Sequence, residues 1–229
     1  MNKTKIEYCD YTWNPIVGCR HGCWYCYAKR IYERFNPGNK YEDWQFLPNR
    51  LGEPEELKKP STILVCSMAD LFGEWVDEDD IQWVLDAIRS CPRHTFLLLT
   101  KNPARLPQFS PYPDNCWVGA SVDYARRLEP SLHALVQVEA KVRWISFEPL
   151  LEDIELGDRS IGGTLDWIVI GALTGPAAKT HRPSSHWVLG LLLRAYLAQV
   201  PLFLKDNLIP VLGEDMVMRH RELPEGAAA

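Results

Sequence analysis

No stretch of this chain approaches the roughly 18 consecutive uncharged apolar residues that a membrane span needs. Its opening, MNKTKIEYCDYTWNP, carries polar and acidic side chains where a secretory signal has an apolar run. A protein without membrane attachment and with a cytoplasmic address is expected. Positive charge is not in excess either. With 25 Lys and Arg against 30 Asp and Glu, the formal charge of −5 excludes a whole-molecule attraction to nucleic acid, so any such binding has to be local. Internal repeats, low-complexity segments and an interdomain linker are missing, and a single domain over 1–229 is expected. The apolar share, 46%, is too high for an intrinsically disordered chain. An even set of cysteines is lacking too. Seven of them in a chain of cytoplasmic cast make a disulfide framework a poor reading and favour metal or thiol chemistry.

What is present is a series of short apolar, β-rich runs bounded by turn residues, at 12–17, 62–66, 95–99, 117–120, 142–146, 167–170 and 202–204. Most are apolar on both faces, as strands of a parallel sheet covered by helices are. Helical periodicity falls at 26–35, 79–90, 123–140 and 184–199. The second of these opens in an acidic turn and places Ile81, Val84, Leu85 and Ile88 on one face. Alternating strands and helices imply right-handed βαβ units. The expected fold is α/β, a partial or compact (β/α) barrel of about six to seven parallel strands, with a doubly wound sheet as the alternative. The segment 36–60 holds four prolines and no clear period, and is expected to be an ordered surface excursion or lid. The tail 224–229 is expected to fray.

Cys9, Cys66, Cys91 and Cys116 are scattered, but Cys19, Cys23 and Cys26 crowd into GCRHGCWYCYAKR as CxxxCxxC, after one strand and leading into a helix. Three thiolates on a short loop can converge on a soft metal centre. Structural zinc takes four protein ligands, and no fourth Cys or His arrives with suitable spacing. Three ligands without a fourth leave one iron of a [4Fe–4S] cubane open to an outside ligand. A zinc site or unrelated free thiols are the bland alternatives. A thiol-redox pair at Cys23 and Cys26 would leave the third cysteine without a task.

With Tyr25 immediately before its last cysteine, this loop resembles the signature loop of the radical S-adenosylmethionine (SAM) enzymes. TWNPIVGC, VCSMADLF, LLLTKNPARL, WVGASVD, WISFEPLL and DWIVIGALTGP resemble, in order, the phage Gp37/Gp68 (DUF5131) family. That family is itself similar to spore photoproduct lyase, and the likeness runs from about Ile6 to Asn207. Two departures stand out. Many members have a longer spacer between the first two cysteines, and members often read GGESGP where this chain has Gly171-Ala172-Leu173-Thr174-Gly175-Pro176, so a carboxylate is missing there.

The resemblance implies a TIM-barrel-like enzyme in which Cys19, Cys23 and Cys26 hold a [4Fe–4S] cluster and SAM ligates the open iron. SAM would be cleaved reductively to a 5′-deoxyadenosyl radical that abstracts hydrogen from a substrate, with nucleic acid or a nucleotide as the implied class. An electron donor of flavodoxin or ferredoxin type is implied as partner. At the ends of strands, Asp70 could accept from the SAM ammonium, Lys101 could meet its carboxylate, and Ser121 could bond the amino-acid or ribose portion; all three match the spore photoproduct lyase-like pattern. Tyr25 is expected near the adenine, and Glu148 at substrate or ribose, with Lys205 and Asp206 lining the site. The hydrogen-donating cysteine of the lyases falls on Ser67 here. Cys66 lies one step earlier, where a strand presents the opposite face, so that role does not carry over.

Arg20, His21, Lys29, Arg30 and Arg34, interleaved with Tyr25, Tyr27 and Tyr32, form a basic and aromatic patch able to meet phosphates and bases. The acidic stretch 74–80 would have to face elsewhere. The competing reading is a non-catalytic zinc or iron–sulfur protein of phage or mobile-element type that binds nucleic acid.

Overall fold

The computed structural model describes residues 1–157 and 161–224. In chain order the strands are β1 (Asn2–Lys3), β2 (Tyr11–Trp13), β3 (Ile16–Val17), β4 (Gln45–Phe46), β5 (Thr62–Val65), β6 (Thr95–Thr100), β7 (Cys116–Ser121), β8 (Val142–Phe147), β9 (Trp167–Ile170) and β10 (Leu202–Leu204). The helices are α1 (Tyr27–Phe35), α2 (Glu78–Arg89), α3 (Leu128–Leu135), α4 (Ser185–Leu197), α5 (Ile209–Leu212) and α6 (Glu214–Arg219).

Eight strands form one sheet in the order β1-β2-β5-β6-β7-β8-β9-β10. Every pairing is parallel except β1 with β2. Because each parallel strand lies beside its predecessor, the order never reverses, which rules out a doubly wound sheet. Among the described residues β1 and β10 do not pair with each other, so the sheet is open and a closed compact barrel does not form.

Strands β5, β7 and β9 are buried along their whole length because both faces are covered. Alternation then sorts side chains between two cores. Ile63, Phe96, Leu98, Val118, Ile145, Phe147, Ile168 and Ile170 pack against the helices, meeting Val84, Ile88, Leu135, Val188 and Leu191. Leu64, Leu97, Trp117, Trp144, Trp167, Val169 and Phe203 face the other way. There Trp167 meets Trp144 at 5.1 Å and Trp117 at 5.5 Å between ring centroids, and Tyr8, from the loop between β1 and β2, packs edge-on against Trp144, Trp167 and Phe203. This aromatic plug fills the lower part of that face. Continuing the same alternation past the plug brings Lys101, Ser121, Glu148, Gly171 and Lys205 to the C-terminal ends of β6 to β10.

Two expected elements differ. The run 12–17 breaks at Asn14-Pro15, where proline has no N–H for the ladder, and β3 leaves the main sheet to pair with β4. Buried Asn14 turns to the loop after β5, its Oδ1 accepting from Ser67 Oγ at 3.2 Å and Met68 N at 2.8 Å. The helix expected over 123–140 starts as a 3-10 turn and becomes α3 only at Leu128, which leaves Asp123 free to turn inward. The 36–60 excursion carries β4 and two 3-10 turns and is tied down: Tyr41 is buried, and Pro54 O takes a hydrogen bond from His94 Nε2. Of the tail expected to fray, Pro224 is buried and 225–229 lie outside the described residues.

Candidate functional site

The cysteine loop leaves β3 through Gly18. Its φ of +97° suits glycine, and a Cβ there would stand 2.7 Å from both Trp44 Cα and Tyr41 O. Gly18 N donates to Met68 O and Cys19 N to Tyr41 O, both at 3.0 Å, so the start of the loop is fastened to the excursion and to the turn after β5. At its far end Cys26 caps α1, its Sγ accepting from Lys29 N at 3.4 Å. All three thiols are free and half-buried. Burial pushes Cys19 up to about 12 and raises Cys23, and both feel the charge of Cys26. They therefore wait as thiols, and a bound metal would supply the drive to deprotonate them.

Among the described residues no three His, Cys, Asp or Glu side chains gather tightly enough to hold a metal ion. A single ion draws its ligands toward one point, whereas a cubane takes one thiolate at each of three separate irons. The three free cysteines of this loop are, by type and number, the donor set a cubane takes. Cys66 belongs to the helix-facing core, with burial raising it to about 12, and is no part of this set.

Asp70 follows β5 and is only 5% exposed. Its Oδ1 accepts from Thr100 Oγ1 at 2.7 Å and Phe72 N at 3.0 Å; its Oδ2 accepts from His21 Nε2 at 2.6 Å and Lys101 N at 2.8 Å. Burial alone would raise its pKa, but these donors, His21 foremost, outweigh that and hold it below the usual carboxylate value. Four donors occupy all the lone-pair directions of the carboxylate. Direct acceptance from a SAM ammonium would require one of them to leave.

Lys101 ends β6 with Nζ 3.9 Å from Asp123 Oδ2 and 5.9 Å from the centre of the Tyr25 ring. Asp123, 1% exposed, also pairs with Arg127 Nε at 2.7 Å and accepts a short hydrogen bond from Tyr25 OH. Sequence reasoning passed over Asp123. The signal was there in GASVD, a carboxylate just beyond a strand's C-terminal end, the same criterion that selected Asp70. Ser121 is buried opposite Ser146 in the β7–β8 register, and Ser146 Oγ has no partner.

Glu148 lies beyond β8, its Oε1 accepting from Lys205 Nζ at 2.6 Å; Glu7 stands 3.5 Å from the same nitrogen. Burial pulls the Lys205 pKa down, but the two carboxylates outweigh it and the net shift is upward. With two carboxylates around one ammonium, this corner is net negative. Asp206 faces away from it, pairing with Arg221. A Cβ at Gly171 would sit 3.0–3.1 Å from Lys205 and Glu148, so these side chains would have to give way by a few tenths of an ångström.

The basic patch is partly spoken for. Lys29 pairs with Glu42 at 2.5 Å, Arg20 Nε donates to Glu42 O, and Arg30 packs on Gly175. Trp24, 54% exposed, donates to Tyr124 OH at 3.2 Å and meets the His181 ring at 4.7 Å. With Tyr27, Ile31 and Phe35 it forms an exposed apolar strip along α1.

A family profile described as "Protein of unknown function (DUF5131)" matches residues 3–211. No curated protein matches the sequence. Among solved structures, a spore photoproduct lyase mutant with bound AdoMet and dinucleoside spore photoproduct is similar at 12% identity and a TM-score of 0.52, covering 84% of this chain and 62% of that one. A spore photoproduct lyase complexed with dinucleoside spore photoproduct gives 11% identity and a TM-score of 0.47, with the same coverage. At such identity the first likeness shows a common fold and no more. The chain spans about three-fifths of the length of those lyases.

Proposed function

The chain belongs to the DUF5131 family, and from that membership, its lyase-like fold and the geometry of the cysteine loop we propose that it is a radical SAM enzyme. One observation carries the reading: three free, half-buried thiols share a loop that opens beside the polar C-terminal ends of a sequential parallel sheet. In this reading Cys19, Cys23 and Cys26 hold a [4Fe–4S] cluster. The cluster and SAM, when bound, supply one-electron cleavage of the sulfonium and with it a carbon radical able to take hydrogen from a substrate.

The protein's own part is to bind, orient and exclude water. Lys101 Nζ, held near Asp123 without closing to hydrogen-bond distance, is placed to meet an anionic group such as the SAM carboxylate. The Ser121 hydroxyl, at the end of β7, can bond the amino-acid or ribose part. Glu148 presents a carboxyl group paired with Lys205, suited to hydroxyl donors such as a ribose diol and unsuited to phosphate. Asp70 works by positioning, since its lone pairs are already committed. Tyr25 keeps its ring toward the site while its hydroxyl is held by Asp123. The aromatic mouth of Trp24, Tyr124 and His181 fits a planar substrate, and a nucleotide or nucleic-acid base is the class we assign. A flavodoxin or ferredoxin type reductant would provide the electron.

The test is anaerobic reconstitution with iron and sulfide, followed by dithionite and SAM. Cluster absorbance and release of 5′-deoxyadenosine are expected, and both should be lost in Cys23→Ala. A protein that takes up only zinc and leaves SAM intact would overturn the proposal.

A further inference from the structure

Between Cys19 and Cys23 lies His21; between Cys23 and Cys26 lies Tyr25. Each donates to a buried carboxylate brought from a different strand end, His21 to Asp70 after β5 and Tyr25 to Asp123 after β7. We infer that these two pairs are positioning clamps that shape the cysteine loop before any cluster is present. The choice of loop rests on the proposed cluster site.

Besides these two bonds, the side chains that hold the loop are Arg20, whose Nε donates to Glu42 O, and the exposed Trp24, whose Nε1 donates to Tyr124 OH. From Cys19 to Cys26 the backbone bonds are Cys19 N to Tyr41 O at one end and Cys26 N to Cys23 O at the other. Gly22 adds freedom in the middle, with a φ of +66° and open space around its Cα. Such a segment would sample many shapes, and a ligand set that must be ordered on binding is disfavoured by that entropy. Two charge-assisted hydrogen bonds at its two bends remove much of this freedom.

Both acceptors have partners outside the loop. Asp70 accepts from Thr100 Oγ1, Phe72 N and Lys101 N, and Asp123 is ion-paired with Arg127. Lys101 joins the two, giving its backbone N–H to Asp70 while its ammonium lies 3.9 Å from Asp123. The His21 ring is further held edge-on by Trp75 at 4.9 Å. A carboxylate buried this deeply is stabilised by each donor it gains, so the loop has reason to stay closed on both.

The measurement uses the full chain purified without cluster. Hydrogen exchange of residues 19–26 and alkylation rates of Cys19, Cys23 and Cys26, read by mass spectrometry, are compared between the natural protein and variants. Tyr25→Phe is expected to speed exchange over 23–26 and alkylation of Cys23 and Cys26 about tenfold, the equivalent of one charge-assisted hydrogen bond. His21→Gln should act instead on Cys19 and Cys23. Peptides from β6 and β7 should exchange as before. Tyr25→Phe combined with Asp123→Asn should be no faster in the loop than the faster of the two single variants, because both act on the same bond. If Asp123→Asn does not fold, the tyrosine and histidine variants carry the test alone. Unchanged loop rates, or acceleration spread over the whole protein, overturn the inference. Loop-specific acceleration with no cluster on reconstitution overturns the proposed function and leaves the clamps standing.

Discussion

Lys205 is the side chain on which the acidic corner beyond β8 depends. Its ammonium is buried and pairs with Glu148 at 2.6 Å and Glu7 at 3.5 Å, with the Tyr8 ring face 5.6 Å away. Lys205→Met would leave two carboxylates without a cation. A loss of about 2–4 kcal/mol is expected, toward the low end for a broken buried pair because Glu148 keeps some contact with water, and denaturant melts measure it. Glu7→Gln should cost far less, since one full pair survives. The pH dependence follows from the direction of the lysine's shift. Its folded pKa is raised, so its contribution is complete below the ordinary lysine value of about 10.4 and is lost as pH rises through the folded value. The gap in stability between the natural protein and Lys205→Met should therefore be flat from about pH 6 to about 9 and narrow only in stronger alkali. A gap that closes near neutrality would contradict this account. Asp70 teaches a related lesson at the same scale. A carboxylate beyond a strand end reads in sequence as a ligand contact, but its four donors make it an internal fastening.

At the scale of elements, the loop between β3 and α1 is shaped by the excursion packed beneath it. Gly18→Ala meets backbone at 2.7 Å on two sides and demands a left-handed φ from alanine. Either the excursion or the loop has to move, and a loss of about 2–3 kcal/mol with reduced iron uptake on reconstitution is expected. Gly22→Ala has open space and pays only the conformational penalty, about 1 kcal/mol. Thermal melts and iron analysis of the two variants separate contact from conformation; equal effects would show that the close approach at Gly18 is unimportant. Gly119 plays the same part inside the sheet. A methyl there would lie 2.5 Å from Trp144 Nε1, and Gly119→Ala is expected to destabilise by about 1–3 kcal/mol through overpacking.

Over the whole molecule, the two hydrophobic cores lie on opposite faces of the sheet, and none of the three loop cysteines belongs to either. The fold should therefore stand without them. A variant with Cys19, Cys23 and Cys26 all changed to Ser is expected to keep its far-ultraviolet circular dichroism and to melt within a few degrees of the cluster-free natural protein. A chain that fails to fold would mean that the loop is part of the structural framework. The overall charge of −5 also finds its place at this scale. Within the basic patch Lys29 is paired with the Glu42 carboxylate and Arg20 Nε is engaged by the Glu42 backbone carbonyl, so both are partly committed inside the protein.

Much of this was legible in the chain because it is local. Three cysteines within eight residues share a loop in any fold, and runs apolar on both faces, such as 62–65 and 167–170, can hardly be anything but covered parallel strands. The sequence by itself determined the strands from β5 to β10, the helices α1, α2 and α4, and the placing of three cysteines on one loop. Only the tertiary structure decided that the sheet stays open, that β3 leaves it at Asn14-Pro15, that Asp70 is saturated, and that Tyr25 finds Asp123, a residue 98 positions away. The physical reason is the same in each case. Periodicity and turn chemistry act between near neighbours, whereas a buried charge takes its donors from whichever elements packing brings to it, and that depends on the whole chain at once.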